Sequence, residues 1–346
     1  MMTRTLSLCI ATFNRAMFLE ETLECIASQS EPDVEVVVLD GGSTDRTSDV
    51  VQKFRERIPH LRYERKGEPG GVDRDFDSAV SIASGEYCWL MADDDRLVPG
   101  ALRAVLNRLS RRALSLLVVN AGIYNEDFSS VLRARALDFG DDRTYEPGDN
   151  TRLFVELGNH LSFIGATIVR RELWCSRTRD SYFGSQFIHV GVLFQAPLPM
   201  AAVLMVQPLV AIRYGNASWT ARTFEIWMFT WPDLIWSFGQ FTDEAKAAVC
   251  SREPWRSIRR LLLYRAKGAY SLRDYRTLLA SRIASPALRL PALAIALVPG
   301  VLCNMIAISV LRLFYRDAAV ALLDLRKSRF NLVHRLKTST SSAQHA

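Results

Sequence analysis

Tyr87-Cys88-Trp89-Leu90-Met91-Ala92-Asp93-Asp94-Asp95 is the stretch on which the reading of this chain turns. Its first six residues have the pattern of a buried strand, and they deliver three successive carboxylates to the strand's C-terminal end. In open α/β sheets that end is where ligands bind. Three crowded carboxylates repel one another unless protons or a cation sit among them. A hard divalent ion that bridges one or two carboxylates and a diphosphate settles the conflict. On its own an Asp-Asp-Asp run reads as an acidic, solvated turn; the residues before it reverse that preference.

Outward from this stretch, the first 120 residues alternate short apolar runs with helical patterns. Residues 6–11, 34–39, 61–64 and 116–119 read as further strands, and 16–28, 45–57, 73–83 and 99–111 as helices. Pro99 suits a first helical turn and Gly85 a helix stop. Such alternation implies βαβ units in a mostly parallel sheet covered on both faces, with the strand ends converging on one crevice. Beyond residue 120 the pattern is less regular: 123–126 and 164–170 fit strands, while 149–157 and 186–194 fit helices. Residues 219–240 fit an aromatic-rich helix broken near Pro232.

Several side chains fall on the crevice edge. Asp40 ends the second apolar run before Gly41-Gly42-Ser43-Thr44-Asp45, with Thr44 as the expected helix cap. There Asp40 can accept hydrogen bonds from a base or ribose, and the glycines let backbone approach a ligand closely. Thr12-Phe13-Asn14-Arg15 ends the first run in the same place; Phe13 can stack on a nucleobase and Arg15 can approach phosphate. Arg74 follows the turn Gly67-Glu68-Pro69-Gly70-Gly71 and can pair with Asp93 or, bidentately, with phosphate. Each alone is an ordinary turn, core or surface residue; together they are far more specific.

Composition bounds the rest. The 346 residues are 49% hydrophobic, enough for a sizeable core in more than one unit. From Ser251 to Ala346, 17 Lys and Arg stand against 4 Asp and Glu, a net of +13; the whole chain carries +6, so residues 1–250 carry −7. An acidic front and a basic rear suggest two jobs. No aromatic-basic RNA motif or zinc-finger spacing occurs, so an anionic membrane surface, not nucleic acid, is the expected partner. Residues 290–311 carry no charge, a length sufficient to span a bilayer. Pro291, Pro299, Gly300 and Asn304 argue against a straight spanning helix. With Arg256, Arg259, Arg260, Arg265 and Lys267 before it and Arg326, Lys327 and Arg329 after, the segment is expected to form a membrane-embedded or membrane-surface hairpin. The six cysteines are scattered, without a CxxC or Cys/His cluster, which leaves out zinc and fits a reducing compartment. The apolar run 6–11 is too short for a signal peptide. The expected location is a membrane surface facing a reducing compartment, peripheral or embedded through the C-terminal part.

Taken together, Ala11-Thr12-Phe13-Asn14-Arg15, Val36-Val37-Val38-Leu39-Asp40-Gly41-Gly42-Ser43-Thr44-Asp45, Asp73-Arg74 with Ala83-Ser84-Gly85-Glu86-Tyr87, and Met91-Ala92-Asp93-Asp94-Asp95 with Pro99-Gly100-Ala101-Leu102 resemble the family 2 glycosyltransferases. The run 85–90 and Phe187-Ile188-His189-Val190 look most like abequosyltransferase-type enzymes of O-antigen synthesis. The resemblance implies inverting, nucleotide-sugar-dependent transfer on the GT-A fold, an α/β, Rossmann-like, doubly wound, mostly parallel sheet followed by a helical region. With the charge and composition of the rest, the expected division is a catalytic domain, 1–220, a basic helical region, 221–337, and a polar disordered tail, 338–346, and the O-antigen resemblance implies the cytoplasmic face of the inner membrane. It also implies roles. Ala11, Thr12, Phe13 and Arg15 meet the nucleotide, and Asp40 binds the base. Gly71 and Arg74 are the glycine turn and its arginine. Asp93 faces the ribose or Arg74. Asp94 holds a magnesium or manganese ion, with Asp95 as an alternative ligand. Many members carry Asp-Ala-Asp-Asp; here Met91 replaces the leading Asp.

Glycosyl transfer breaks the anomeric C–O bond and leaves charge on a nucleoside diphosphate, which a divalent metal neutralises. The acceptor hydroxyl attacks the opposite face while a base removes its proton. Many family members draw that base from a downstream Glu-Asp pair. Residues 185–190 hold no carboxylate, so His189 is the expected base, with His160 and Asp180 as weaker alternatives. Arg213 can clamp the diphosphate and Trp219 can stack on a sugar face. The expected partners are a nucleotide-diphosphate sugar and a saccharide acceptor, lipid-linked at a membrane. Two rivals stand. A sugar nucleotidyltransferase usually needs a glycine-rich basic loop, which Leu8-Cys9-Ile10-Ala11-Thr12 lacks. A non-catalytic, membrane-associated nucleotide-sugar-binding protein with a degenerate site would account for Met91 and the missing carboxylate.

Overall fold

A computed structural model describes residues 4–216, 220–283, 285–315 and 318–332; Trp219 and the expected tail, 338–346, lie outside the described residues. The chain divides into two compact units. One holds the residues up to Arg213 together with Leu234–Val249, the other Tyr214–Asp233 and the residues from Cys250 onward. The division expected at residue 220 therefore differs from the observed one. Leu234–Val249 returns to the first unit because its aromatic side chains join that core: Phe241 stacks on Phe154 with ring centroids 4.0 Å apart, and Phe238 meets the edges of Phe154 and Phe194.

The first unit is built on strands β1 (Leu6–Thr12), β2 (Val34–Asp40), β3 (Leu61–Arg65), β4 (Tyr87–Ala92), β5 (Arg96–Leu97), β6 (Leu116–Tyr124), β7 (Val131–Arg133), β8 (Arg143–Tyr145), β9 (Thr167–Arg170) and β10 (Ala202–Arg213). They form one sheet in the order β3-β2-β1-β4-β9-β6-β10-β5, with β7 beside β6 and β8 beside β10. Between the early strands run helices α1 (Ala16–Ala27), α2 (Thr47–Phe54), α3 (Val72–Ile82) and α4 (Ala101–Leu109). β1 is parallel to both β2 and β4, with Thr12 opposite Asp40 and Ala11 opposite Ala92. This register brings the C-terminal ends of the three strands to one edge. Side chains alternate along each strand. Leu6, Leu8, Ile10, Val36, Val38, Trp89 and Met91 therefore share one face, packed in a common core with residues of α1, α2 and α4. The other face of β1 and β2 carries α3. Met91, 0% exposed, is thus an apolar packing residue in this chain.

Several elements depart from the sequence reading: the expected strand 123–126 falls at the end of β6, and β5, β7 and β8 carried no expectation. The run 164–170 splits into a 3-10 turn, Ile164–Ala166, and β9, which is antiparallel to both β4 and β6. β10 carried no strand expectation, because Pro208 interrupts its apolar run and proline is foreign to central strands. The structure absorbs the proline in register shifts between Met205 and Val210, and β10 still pairs in parallel with β6. The second unit is helical. Among the described residues no single helix is long and apolar enough to cross a membrane.

Candidate active site

The three aspartates leave β4 at the shared strand edge, and each goes a separate way. Asp93 accepts hydrogen bonds from Thr12 Oγ1 (2.7 Å) and Arg15 Nε (2.8 Å). Asp94 accepts one from Nη2 of the same guanidinium, so a single arginine spans both carboxylates while lying over the Phe18 ring. Asp95 turns inward, 2% exposed, and accepts the backbone N–H of Arg213 at 3.0 Å. Thr22 of α1 places its hydroxyl 2.9 Å from the carbonyls of both Asp93 and Asp95, which pins the turn from below. Burial pushes the Asp93 carboxyl up to about 6; Arg15 opposes that rise and the adjacent Asp94 charge adds to it. Burial raises Asp95 as well, with Asp94 again adding. The crowding expected from the sequence is relieved by one shared arginine and by turning one carboxylate into the protein.

Beside this turn lies a second group. Phe13 is 43% exposed. Asn14 takes a left-handed conformation (φ 54°), which Asn tolerates better than most residues. Its side-chain oxygen accepts the N–H of Thr44 at 2.7 Å and so ties the first strand's turn to the second's. Gly41 is bare at a point where a Cβ would come within 3.2 Å of Asp75 Oδ2 and 3.6 Å of Phe13 Cβ. Asp75 in turn meets Lys66 Nζ at 3.1 Å. Phe13, Gly41, Asp75 and Lys66 therefore converge at the ends of β1 and β2. Asn14, Lys66 and Asp75 escaped the sequence reading, although Asp73 and Asp75 flank Arg74 at a helix start. Asp73 accepts the N–H groups of Gly184, Gln186 and Ile188 and so fastens that loop to α3.

Several expected roles need correction. Asp40 is 0% exposed; its Oδ1 accepts the N–H groups of Gly42 and Ser43, and its Oδ2 accepts the Tyr63 hydroxyl at 2.6 Å. It shapes its own turn, and the carboxylate beside Gly41 is that of Asp75. Arg74 does not meet Asp93; its guanidinium stacks 4.2 Å from the Phe183 ring centroid. The arginine on Asp93 is Arg15. Gly71, at φ 81°, opens α3 where a side chain would be strained. The residue before α2 is Arg46 and not Thr44; Asp45 accepts the N–H groups of Ala16 and Thr47, the first residues of α1 and α2. Arg213, expected to clamp phosphate, faces inward. Its side chain is 4% exposed and bonds Glu21 and the carbonyls of Asp94 and Glu126, between the rings of Phe18 and Phe128. Asp95, spent on the Arg213 backbone, is not positioned as the alternative metal ligand.

His189, the expected base, stands enclosed in the core. It is 1% exposed on a buried short helix, and its Nε2–H donates to the Leu161 carbonyl at 2.6 Å. His160 is likewise buried, with Nε2 on the Val119 carbonyl. A nitrogen closed off from solvent cannot meet an acceptor hydroxyl. Of the three sequence candidates only Asp180 is exposed. Burial drops the His189 imidazole to about 4. An unfolded histidine takes up its proton near pH 6.5, so between these values the unfolded chain binds more protons and stability falls as pH drops. Urea titrations should show wild type losing about 2 kcal/mol more than His189→Leu between pH 7 and pH 5. The opposite contribution of Asp93 is common to both proteins and cancels. Equal losses would refute a sealed, neutral His189.

Among the described residues no three His, Cys, Asp or Glu side chains converge to hold a metal by themselves. The turn offers the adjacent carboxylates of Asp93 and Asp94, side chains 8% and 13% exposed, bridged by the single positive charge of Arg15. A magnesium-type ion held by one carboxylate and completed by phosphate oxygens and water asks for no more. The donor set fits that kind of shared site and not a closed, protein-only one.

The geometry agrees with comparisons to known proteins. Residues 7–173 match the model of glycosyl transferase family 2. Abequosyltransferase RfbV of Salmonella typhimurium is 29% identical over 230 residues, covering 63% of this chain and 69% of that enzyme. A GalNAc(5)-diNAcBac-PP-undecaprenol beta-1,3-glucosyltransferase of Campylobacter jejuni is 32% identical over 104 residues, 30% of this chain and 34% of that enzyme. In fold, the chain is similar to residues 1–349 of S. aureus TarS, solved with UDP-GlcNAc, with a TM-score of 0.53, 17% identity, and coverage of 97% of this chain and 92% of that one. The sheet is that of the GT-A fold. Residues 7–173 carry a glycosyl transferase family 2 domain, and the chain is a glycosyltransferase.

Proposed function

We propose that this enzyme moves a sugar from a nucleoside diphosphate donor to a saccharide acceptor in surface-polysaccharide assembly of the O-antigen kind, by a single displacement with inversion. The observation that carries the reading is the convergence of Thr12, Arg15, Asp93 and Asp94 on the strand edge where Phe13 stands exposed. The nucleobase stacks on Phe13, and its edge meets the Asp75–Lys66 pair, an acceptor beside a donor. The diphosphate lies toward Arg15, whose guanidinium exchanges a carboxylate for phosphate as the donor enters. Asp94 would hold a divalent cation, which supplies charge neutralisation on the departing diphosphate. Asp93, fixed by Thr12, accepts from the ribose. The acceptor hydroxyl attacks the anomeric carbon opposite the diphosphate: the new glycosidic C–O bond forms as the anomeric C–O bond to the diphosphate breaks, and the bonding electrons leave on the diphosphate. The hydroxyl proton passes to a carboxylate base, for which exposed Asp180 is the candidate. The basic C-terminal region and the polyprenyl-linked substrate in the Campylobacter relative's name favour a lipid-linked acceptor.

The test is nucleotide release with a panel of UDP, GDP, CDP and dTDP sugars, with and without Mg²⁺ or Mn²⁺. Release is expected for one base class and only with the metal. No release with any donor would sink the reading. Within that assay, Asp75→Asn should lower kcat/KM for the preferred donor about 10- to 100-fold, the worth of a charge-assisted hydrogen bond, while sparing a poor donor. A uniform loss across donors would remove Asp75 from base recognition.

A further inference from the structure

The second unit carries a surface that transfer chemistry does not explain. Its helices Pro286–Leu297 and Gly300–Phe314 meet at a sharp break, and from Arg289 onward the two arms lie 96° apart. Val298 precedes Pro299 and takes an extended conformation, as residues before proline do. The break is braced, since the Val298 carbonyl, freed from the helix, accepts Arg265 Nε at 2.8 Å. The second arm is two-faced. Asn304, 1% exposed, donates to the carbonyls of Ala266 and Leu325, and Cys303 is buried beside it. On the opposite side Leu302, Met305, Ile306, Val310 and Leu313 are 41–76% exposed. Their three- and four-residue spacing draws one apolar stripe along the helix. Leu290 and Leu297 of the first arm are 68% and 60% exposed, seven residues and so two turns apart.

Neither arm can cross a bilayer. Fifteen residues of helix reach about 22 Å, short of the roughly 30 Å hydrocarbon core. An apolar stripe bordered by positive charge is instead the pattern of a helix lying in the membrane plane. Charge decides the occupant. Residues 251–346 carry a net of +13, so a second copy of this region would meet its own charge. At the stripe's end Tyr315 is 43% exposed and its hydroxyl accepts from Arg259, an amphipathic pair suited to the headgroup level. We propose that this bent pair docks in the plane of an anionic phospholipid surface, with the 302–313 stripe at the boundary between headgroups and acyl chains.

Flotation of the full chain with vesicles tests this. Vesicles of phosphatidylcholine alone are compared with vesicles containing about 30% phosphatidylglycerol, a strongly anionic surface. The wild type should float with the anionic vesicles at least ten times better than with the neutral ones, and high salt should weaken that binding. Met305→Gln/Leu313→Gln removes stripe side chains that touch solvent, so its thermal unfolding should match wild type while its flotation falls at least tenfold. The proposal is overturned if wild type stays unbound, if it binds both vesicle types alike, or if the double variant floats as well. It is also overturned if sedimentation shows a dimer that the double variant dissociates, for then the stripe is a self-interface. Nucleotide release from a soluble donor does not depend on the outcome, so this proposal and the functional reading fail separately.

Discussion

Asp94→Asn is expected to lower kcat/KM for the nucleotide sugar about 10³-fold, the size of effect seen when one preorganised charge-stabilising group is removed from an active site. Asp94 is the most exposed of the three aspartates and is the one whose carboxylate can leave Arg15 for a cation. The substitution keeps shape and deletes charge. Its effect on stability should be small, because the lost pair with Arg15 is offset by relief of the repulsion that Asp94 exerts on buried Asp93 and Asp95. Calorimetry with nucleoside diphosphate should show the magnesium dependence of binding disappear along with turnover. Full activity of Asp94→Asn would refute the assignment. Asp95→Asn provides the contrast: an amide oxygen still accepts the Arg213 N–H, so turnover should change little.

The other large effect lies at Arg213. Arg213→Met should destabilise the protein by about 3 kcal/mol or more, because it strips a buried cation from partners arranged for it. For a domain of this size that corresponds to a fall in Tm of roughly 6–12 °C. The guanidinium reaches Glu21 on α1, the Asp94 carbonyl in the acidic turn and the Glu126 carbonyl beyond β6, while its own N–H holds Asp95. Arg213→Lys should recover little, since an ammonium cannot serve three directions from one plane. Thermal unfolding distinguishes the alternatives. If Arg213 were a phosphate clamp, stability would hold and KM for the donor would rise.

The same residue shows where sequence reading fails. Arg213 was expected to meet phosphate because the family it resembles often places a loop over the donor there. Its actual work depends on β10, a strand whose proline hid it, and on β5 and the acidic turn more than a hundred residues earlier. His189 failed similarly: the sequence shows an imidazole in the right segment, but only packing shows both sides of the ring enclosed. Asp40, turned into its own loop, and Asp75, which carried no expectation, show a related gap. The residue at the strand's end was legible, and the direction of its carboxylate was not.

The amino-acid sequence alone determined the alternation of strands and helices over the first 120 residues, the edge at which their ends meet, the acidic turn and the family. These follow from local periodicity and from residues close together in the chain, where spacing maps directly onto geometry. Only the tertiary structure decided which arginine bridges Asp93 and Asp94, which carboxylate stands beside Phe13, and which face of 300–314 remains uncovered. Those outcomes hinge on side chains brought together from distant segments and on how much water each retains. Charge state, reach and exposure are set by that packing, and no spacing along the chain encodes them.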